Sequence, residues 1–375
     1  MAGIYVHIPF CTQACHYCDF HFSTSSKFLN DVVKTIKDEL ISRKKYITPS
    51  PIETVYFGGG TPSLLSSQIL DDILLVIKEN FRVVNTPEVT LELNPENVTK
   101  QNLIDWYNLG ITRLSLGVQS FFQEDLDYMN RSHDSRQAYK ALGLVLNSKI
   151  KNLSVDLIYG FPLLSDVKFV KNIQCLITAK VPHISSYCLT VEKGTALSHF
   201  IATKKYQSLD PIKQERQFFI LRNMLLAAGY EHYEISNFSQ PGCRSIHNKN
   251  YWNKTPYLGV GPSAHSYDGK SRQWNIKNNA LYCKNYWNQK QYYELEALSK
   301  KDIVNEYIMT SLRTSEGIFL SACFSKMSGL EVQLFKQDLK LFENRGLVCC
   351  QDGFVVLTEK GMLFADSISR ELFLI

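Results

Sequence analysis

The 375-residue sequence has no apolar run near the roughly 18 residues a membrane-spanning helix needs. Its longest candidate, residues 69–77, is broken by Asp71 and Asp72. The N-terminus, Met-Ala-Gly-Ile-Tyr, lacks a basic stretch leading into an apolar one, so no secretory leader is expected. Ten cysteines are too sparse to form a disulfide scaffold in so long a chain. The balance of 41 Lys+Arg against 36 Asp+Glu leaves a net charge of only +5, which does not call for nucleic acid or a membrane surface. Internal repeats and low-complexity tracts are missing as well. The expected compartment is therefore the reducing cytosol, where clustered cysteines more often bind metal or do redox chemistry than form bridges.

What is present is a long alternation of two periodicities. Ile4, Val6 and Ile8 alternate with Tyr5 and His7 in a period of two, which predicts a strand over 3–8. Phe28, Leu29, Val32, Val33, Ile36 and Leu40 recur every three or four residues, predicting a helix capped near Ser25 or Ser26. The same reading gives strands at 54–57, 89–93, 113–118, 153–158 and 184–191. Helices are expected around 69–77, 101–109, 135–146, 167–179 and 210–229. Six βα units in series argue for a parallel sheet closing into a partial (β/α)₆ barrel, with a doubly wound sheet as the alternative. Residues 1–230 are read as this α/β domain. Residues 231–300 read as an irregular connecting region rich in Tyr and Trp, and 301–375 as a small winged-helix-like α+β domain. The second helix of that last domain carries only Lys336 and Lys340 against Glu331 and Asp338, so a structural or partner-binding role is expected and nucleic acid is not.

Three of the ten cysteines lie between positions 11 and 18, as Cys11, Cys15 and Cys18 in a C-x₃-C-x₂-C array after the first strand. Chance alone gives this spacing in roughly 0.7% of such chains. Three thiolates on one tight loop suit three corners of a [4Fe–4S] cluster and leave one iron open to an outside ligand. S-adenosylmethionine (SAM) chelates such an iron through its amino and carboxylate groups, and electron transfer into its sulfonium yields a 5′-deoxyadenosyl radical. A zinc site with His7, His16 or His21 as fourth ligand is the alternative, although zinc usually pairs cysteines two by two and no second C-x₂-C exists here.

Tyr5-Val-His-Ile-Pro-Phe-Cys11, the cysteine spacing and later motifs resemble radical SAM proteins of the oxygen-independent coproporphyrinogen III oxidase group, within it most nearly the HemW-type haem chaperones. The resemblance implies a partial (β/α)₆ radical SAM barrel with the cluster loop after its first strand, followed by a C-terminal domain. Gly58-Gly59-Gly60-Thr61-Pro62 follows the second strand, and its glycines let backbone approach a ligand closely. Glu92 in Leu-Glu-Leu-Asn-Pro faces opposite to its apolar neighbours and needs a cationic partner if it points into a barrel. By resemblance that partner is the amino group of SAM. Gln119 and Asp156 are then expected at the ribose hydroxyls, Arg131 at the carboxylate, and Tyr5 and Tyr17 beside the cofactor. Taken singly, each of these residues also reads as a routine structural polar group.

Two features separate oxidase from chaperone. The oxidase branch carries a fourth cysteine two residues after the third, where this chain has Phe20, and it has a long N-terminal arm, whereas here the first cysteine follows after ten residues. His247-Asn-Lys-Asn-Tyr-Trp252 matches the HNxxYW motif of the HemW side, associated there with haem. Imidazole is a good axial iron ligand, and Arg244, Lys249 and Lys254 are candidates for the propionates. In an aromatic loop, a lone histidine also reads as a packing residue. The resemblance further implies a haem-acceptor protein, of the membrane respiratory kind, and a homodimer.

Overall fold

A computed structural model describes residues 1–375. Six strands run parallel in sequence order: β1 (Ala2–Ile8), β2 (Ile52–Gly59), β3 (Val83–Leu93), β4 (Arg113–Gln119), β5 (Asn152–Tyr159) and β6 (His183–Cys188). A doubly wound sheet would reverse direction at its first strand, so this order selects the singly wound, partial-barrel alternative. Alternation decides which residues face the helices. Ile4, Val6, Val55, Phe57, Leu91, Leu114, Leu116, Val155 and Ile184 are buried in the main core. Tyr5, Tyr56, Glu92, Ser115 and Asp156 occupy the intervening positions and meet each other across the strands.

The helices follow their expected places closely, as in Ser135–Leu146 and Lys100–Leu109, the latter ending on Gly110 in the left-handed region. The first helix differs. It runs Leu29–Ser42 with Phe28 at its N-cap and no side-chain cap, because Ser23 and Ser25 are engaged in their own local turn. Two short helices, Gln123–Met129 and Ala196–Ala202, escape the sequence reading.

The aromatic stretch is ordered, contrary to the irregular region its composition suggested. Strands β7 (Glu231–Glu234) and β8 (Asn237–Ser239) extend the sheet beyond β6. On the other side β9 (Tyr257–Val260) pairs in parallel with β1, followed by β10 (His265–Tyr267), β11 (Ser271–Asn275) and β12 (Tyr293–Ala297). The result is one sheet of 12 strands. A smaller three-stranded sheet, β13 (Ile318–Phe319), β14 (Val348–Gln351) and β15 (Phe354–Leu357), carries its own core around Ile308, Phe335 and Phe342. Helix, strand, two helices and a hairpin in that order make a winged-helix-like unit, and the hairpin turns at Asp352-Gly353 with both φ angles positive.

Candidate functional site

The chain leaves β1 at Ile8 and enters the cysteine loop. Backbone bonds between Cys11 and Ser23, and between Ser23 and Pro9, close its base. Its tip is tied to the turn after the Gln123–Met129 helix: His16 N donates to Met129 O (3.1 Å), and Asn130 Nδ2 to Ala14 O (2.7 Å). Gln13 donates back to Asn130 Oδ1 at 2.8 Å. This clasp fixes the loop that carries Cys11, Cys15 and Cys18.

The glycine turn after β2 is stitched to the same loop. Gly60 N donates to Ile8 O (2.9 Å), Thr61 N to Phe10 O (2.7 Å), and Thr61 Oγ1 to Cys11 Sγ (3.6 Å). A Cβ on Gly60 would stand 2.7 Å from Phe10 O, and one on Gly59, whose φ is +107°, would stand 2.5 Å from the His7 ring. These two positions therefore exclude side chains.

Cys11, Cys15, Cys18, Tyr17, Gly59, Gly60, Thr61, Glu92, Gln119, Arg131 and Asp156 all line one cavity of about 440 Å³. Arg131 follows Asn130, whose left-handed backbone ends the short helix, and its guanidinium donates to Asn94 Oδ1 (2.6 Å) and Gly117 O (2.9 Å). Its other arm reaches Cys15 Sγ and Tyr17 Oη, each at 3.4 Å. Glu92 accepts from Tyr56 Oη (2.7 Å) and from Gly59 N (3.1 Å). Burial pushes its carboxyl up to about 7 against the lowering effect of Tyr56, and burial likewise lifts Asp156 to about 6 despite hydrogen bonds from Ser185 and Ser115. Burial also raises the Cys11 thiol and pushes Cys18 up to about 12, so thiolates at these positions call for a strongly cationic partner.

Several atoms in the cavity wait for a partner. Gln119 Oε1 and Arg131 Nε are buried without hydrogen bonds, and Gln119 sits in the left-handed backbone region at φ 66°. A zwitterionic ligand with hydroxyls answers each of these needs, and three thiols on one loop match an iron–sulfur cluster with one open iron. The residues present therefore fit a [4Fe–4S] cluster and SAM. The zinc alternative is not supported by the histidines. His7 commits both ring nitrogens, to Tyr5 Oη and His21 O, while His16 is packed edge-on against Phe200 and His21 bonds to Asn279.

Two expected site residues lie outside the cavity. Tyr5 sits behind the glycine turn, its ring near Gly58 and its hydroxyl 3.1 Å from His7 Nδ1, so it supports the site instead of lining it. His247 is 2% exposed, with Nδ1 bonded to Thr54 Oγ1 (2.7 Å) and Nε2 to Tyr251 Oη (3.0 Å). Burial drives its pKa down to about 3, so the imidazole is neutral, and both nitrogens are already engaged. In this conformation His247 presents no free nitrogen to a haem iron. Nearby, Arg244 is paired with Glu231 and Glu316, Lys249 faces Glu316, and Lys254 donates to Ile303 O. Asn94 and Tyr56 are the site residues that sequence reasoning missed. Asn94 directly follows Leu93 in the Glu92 segment, and Tyr56 precedes Gly58 by two positions on the inward face.

Comparison with known proteins finds relatives over nearly the whole chain. The Radical SAM superfamily pattern matches residues 5–176, and the HemN C-terminal domain pattern matches 298–364. "Heme chaperone HemW" of Mycobacterium tuberculosis (strain CDC 1551 / Oshkosh) is 31% identical over 99% of this chain and 94% of its own length. The protein of the same name from Buchnera aphidicola subsp. Acyrthosiphon pisum is 31% identical over 99% of this chain and 98% of its own. Among solved structures, coproporphyrinogen III oxidase (HemN) from Escherichia coli superposes with a TM-score of 0.85 at 22% identity, covering 99% of this chain and 90% of that one, which establishes the shared fold. A cysteine-loop barrel, a HemN-type C-terminal unit and full-length relatives converge: the chain belongs to the HemW family of radical SAM proteins.

Proposed function

We propose that this protein is a haem chaperone, which holds haem and passes it to an acceptor protein while keeping a [4Fe–4S]/SAM site. The observation that carries this reading over an oxidase is Phe20. It lines the rim of the cavity, 66% exposed, where the oxidase branch has a thiol. The carboxylates Asp19, Glu92, Asp156 and Glu192 around the cavity, against the single cation Arg131, also favour a cationic ligand over a porphyrinogen bearing several carboxylates.

The chain's own residues divide the binding work. Cys11, Cys15 and Cys18 would hold the cluster, Arg131 would pair with the SAM carboxylate, Glu92 with its amine, and Gln119 and Asp156 with the ribose hydroxyls; all of them line the one cavity. Asn94 and Gly117 keep the Arg131 fork turned inward, and Tyr56 and Gly59 do the same for Glu92. When bound, the cluster supplies one-electron reduction of SAM. The family resemblance adds to this reading a membrane-bound respiratory enzyme as acceptor and a homodimer as working form, with the cytosol as compartment. No helix of the structure is long and apolar enough to cross a membrane. Nucleic acid is not a partner in this reading: the helix Gly329–Asn344 offers Lys336 and Lys340, and Lys340 is already paired with Glu343 at 2.8 Å.

A haem titration followed by absorbance, run beside a coproporphyrinogen III decarboxylation assay, tests the proposal. Stoichiometric haem binding without decarboxylation is the expected result. Turnover to protoporphyrinogen would replace the chaperone with an oxidase.

A further inference from the structure

The small net charge of the whole chain hides a local imbalance. Residues 269–293 contain five Lys and Arg and no Asp or Glu. Within this segment the helix Asn279–Trp287 packs beside the helix Leu29–Ser42. Tyr282 Oη donates to Glu39 Oε2 (2.6 Å) in the buried layer, and Tyr286 Oη to Ser42 Oγ (3.0 Å) nearer the surface. Lys34 Nζ stands 5.4 Å from the centre of the Trp287 ring. Glu39 is fully buried and also accepts from Arg43, Asn275 and Gly261 N, so its charge is spent inside.

The outward side of this helix pair is basic. The first helix presents Lys34 and Ile41, with Lys45 just past its end; the second presents Lys284 and Trp287, with Lys290 just past its end. All six are exposed, Ile41 at 44% and Trp287 at 43%. The four lysines form no ion pair, whereas Lys37 on the flank is paired with Asp72 at 3.1 Å. Asp31 and Asp38 are the acids of the same helix, and the lysines outnumber them. Arg43, the nearby guanidinium, is turned inward onto Glu39 (2.9 Å) and Gln273 (2.7 Å). What remains outside is ammonium groups, which act as point charges and ask for no fixed partner geometry. Protein interfaces are depleted in Lys, while Trp beside Lys on an amphipathic surface is the pattern of a bilayer interface.

We propose that the paired helices Leu29–Ser42 and Asn279–Trp287 form a docking face for an anionic lipid surface. Lys34, Lys45, Lys284 and Lys290 meet the phosphates, and Ile41 and Trp287 sit at headgroup level. The contact is peripheral, since no helix is long and apolar enough to cross a membrane. The inference stands on this face alone and goes beyond the haem reading, to which it adds a way of reaching a membrane-bound acceptor.

Flotation of the cluster-loaded full chain tests it, with vesicles of phosphatidylcholine alone and of phosphatidylcholine mixed equally with phosphatidylglycerol. The mixed vesicles should capture the chain at low salt and release it at high salt, and phosphatidylcholine alone should capture little. A lysine near an anionic leaflet contributes roughly five-fold to partitioning, so Lys284→Glu/Lys290→Glu should weaken capture roughly ten-fold or more. Lys140→Glu/Lys171→Glu makes the same charge change at exposed positions on the helices Ser135–Leu146 and Asp166–Thr178, and should leave capture nearly unchanged. Trp287→Ala should weaken capture and remove the blue shift of tryptophan fluorescence that vesicles induce. Cluster absorbance reports intact folding of each variant. No capture by either vesicle, capture indifferent to phosphatidylglycerol, or equal loss in both double variants overturns the proposal. Retention on polyuridylate or on an acidic protein without vesicle capture overturns it as well. Haem titration is a separate measurement, so failure of the chaperone reading leaves the vesicle result standing.

Discussion

The imidazole of His247 lies stacked on the ring of Tyr56, with ring centres 4.8 Å apart, and the hydroxyl of Tyr56 donates to Glu92 at 2.7 Å. The motif histidine is thus two contacts from a carboxylate of the cavity, and Tyr56 between them is the residue expected to position that carboxylate. Tyr56→Phe keeps the ring stack and removes one hydrogen bond to Glu92. A net bond to a charged group contributes about 1.5–3 kcal/mol, so SAM binding should weaken by at least about ten-fold with the cluster intact. Equilibrium SAM binding measures this, and an unchanged dissociation constant refutes the positioning role.

His247→Leu leaves the hydroxyls of Thr54 and Tyr251 facing a group that cannot hydrogen-bond. Each stranded group costs about 1–3 kcal/mol, so the variant should lose about 2–6 kcal/mol of unfolding free energy. Haem affinity should hold wherever the variant remains folded. Denaturant unfolding and haem titration on the same sample decide between a packing role and an iron-ligand role.

SAM binding should depend on pH. The Glu92 carboxyl is raised to about 7, chiefly by burial, so it gains a proton as pH falls through neutrality. An ammonium ligand needs the carboxylate, and affinity should therefore drop about ten-fold between pH 8 and pH 6. Glu92→Gln should bind weakly with a flat profile, and a flat wild-type profile would count against Glu92 as the amine's partner.

Protein reconstituted anaerobically with iron and sulfide should be brown, and replacing Cys11, Cys15 and Cys18 by Ala should abolish that absorbance. Metal analysis that finds one zinc and no sulfide would exclude a cluster.

Gly60→Ala tests the seam between the glycine turn and the cysteine loop. The added methyl would sit 2.7 Å from Phe10 O and 2.8 Å from Ile8 O, which must move apart. Cluster retention should fall while the main fold, read by far-UV circular dichroism, persists. Full cluster occupancy in this variant would show that the seam is not needed to hold the loop.

Much of the fold and site is legible in the sequence because short-range signals govern it. The period-two strands place Glu92 and Asp156 on the inward face, and the cysteine spacing by itself singles out the loop that lines the cavity. What escapes depends on distant partners. Asn94 matters only because Arg131, 37 positions later, folds back onto it. Tyr5 and His247 resemble ligand-side residues in their motifs, yet the structure puts them behind the wall they support. The aromatic stretch looks irregular because its strands are only three to five residues long and find their pairing on edges built elsewhere.

The parallel pairing of β1 with β9 joins residues 3–6 to residues 257–260. In synthesis from N- to C-terminus, β1 is made about 250 residues ahead of β9, so one flank of the strand that leads into the cysteine loop stays bare while the intervening chain emerges. Closing so long a loop is slow, so this edge of the sheet completes after its centre. The partners that clasp the cysteine loop, residues 60–61 and 129–130, are made well before β9, so the loop is held while that flank is still open.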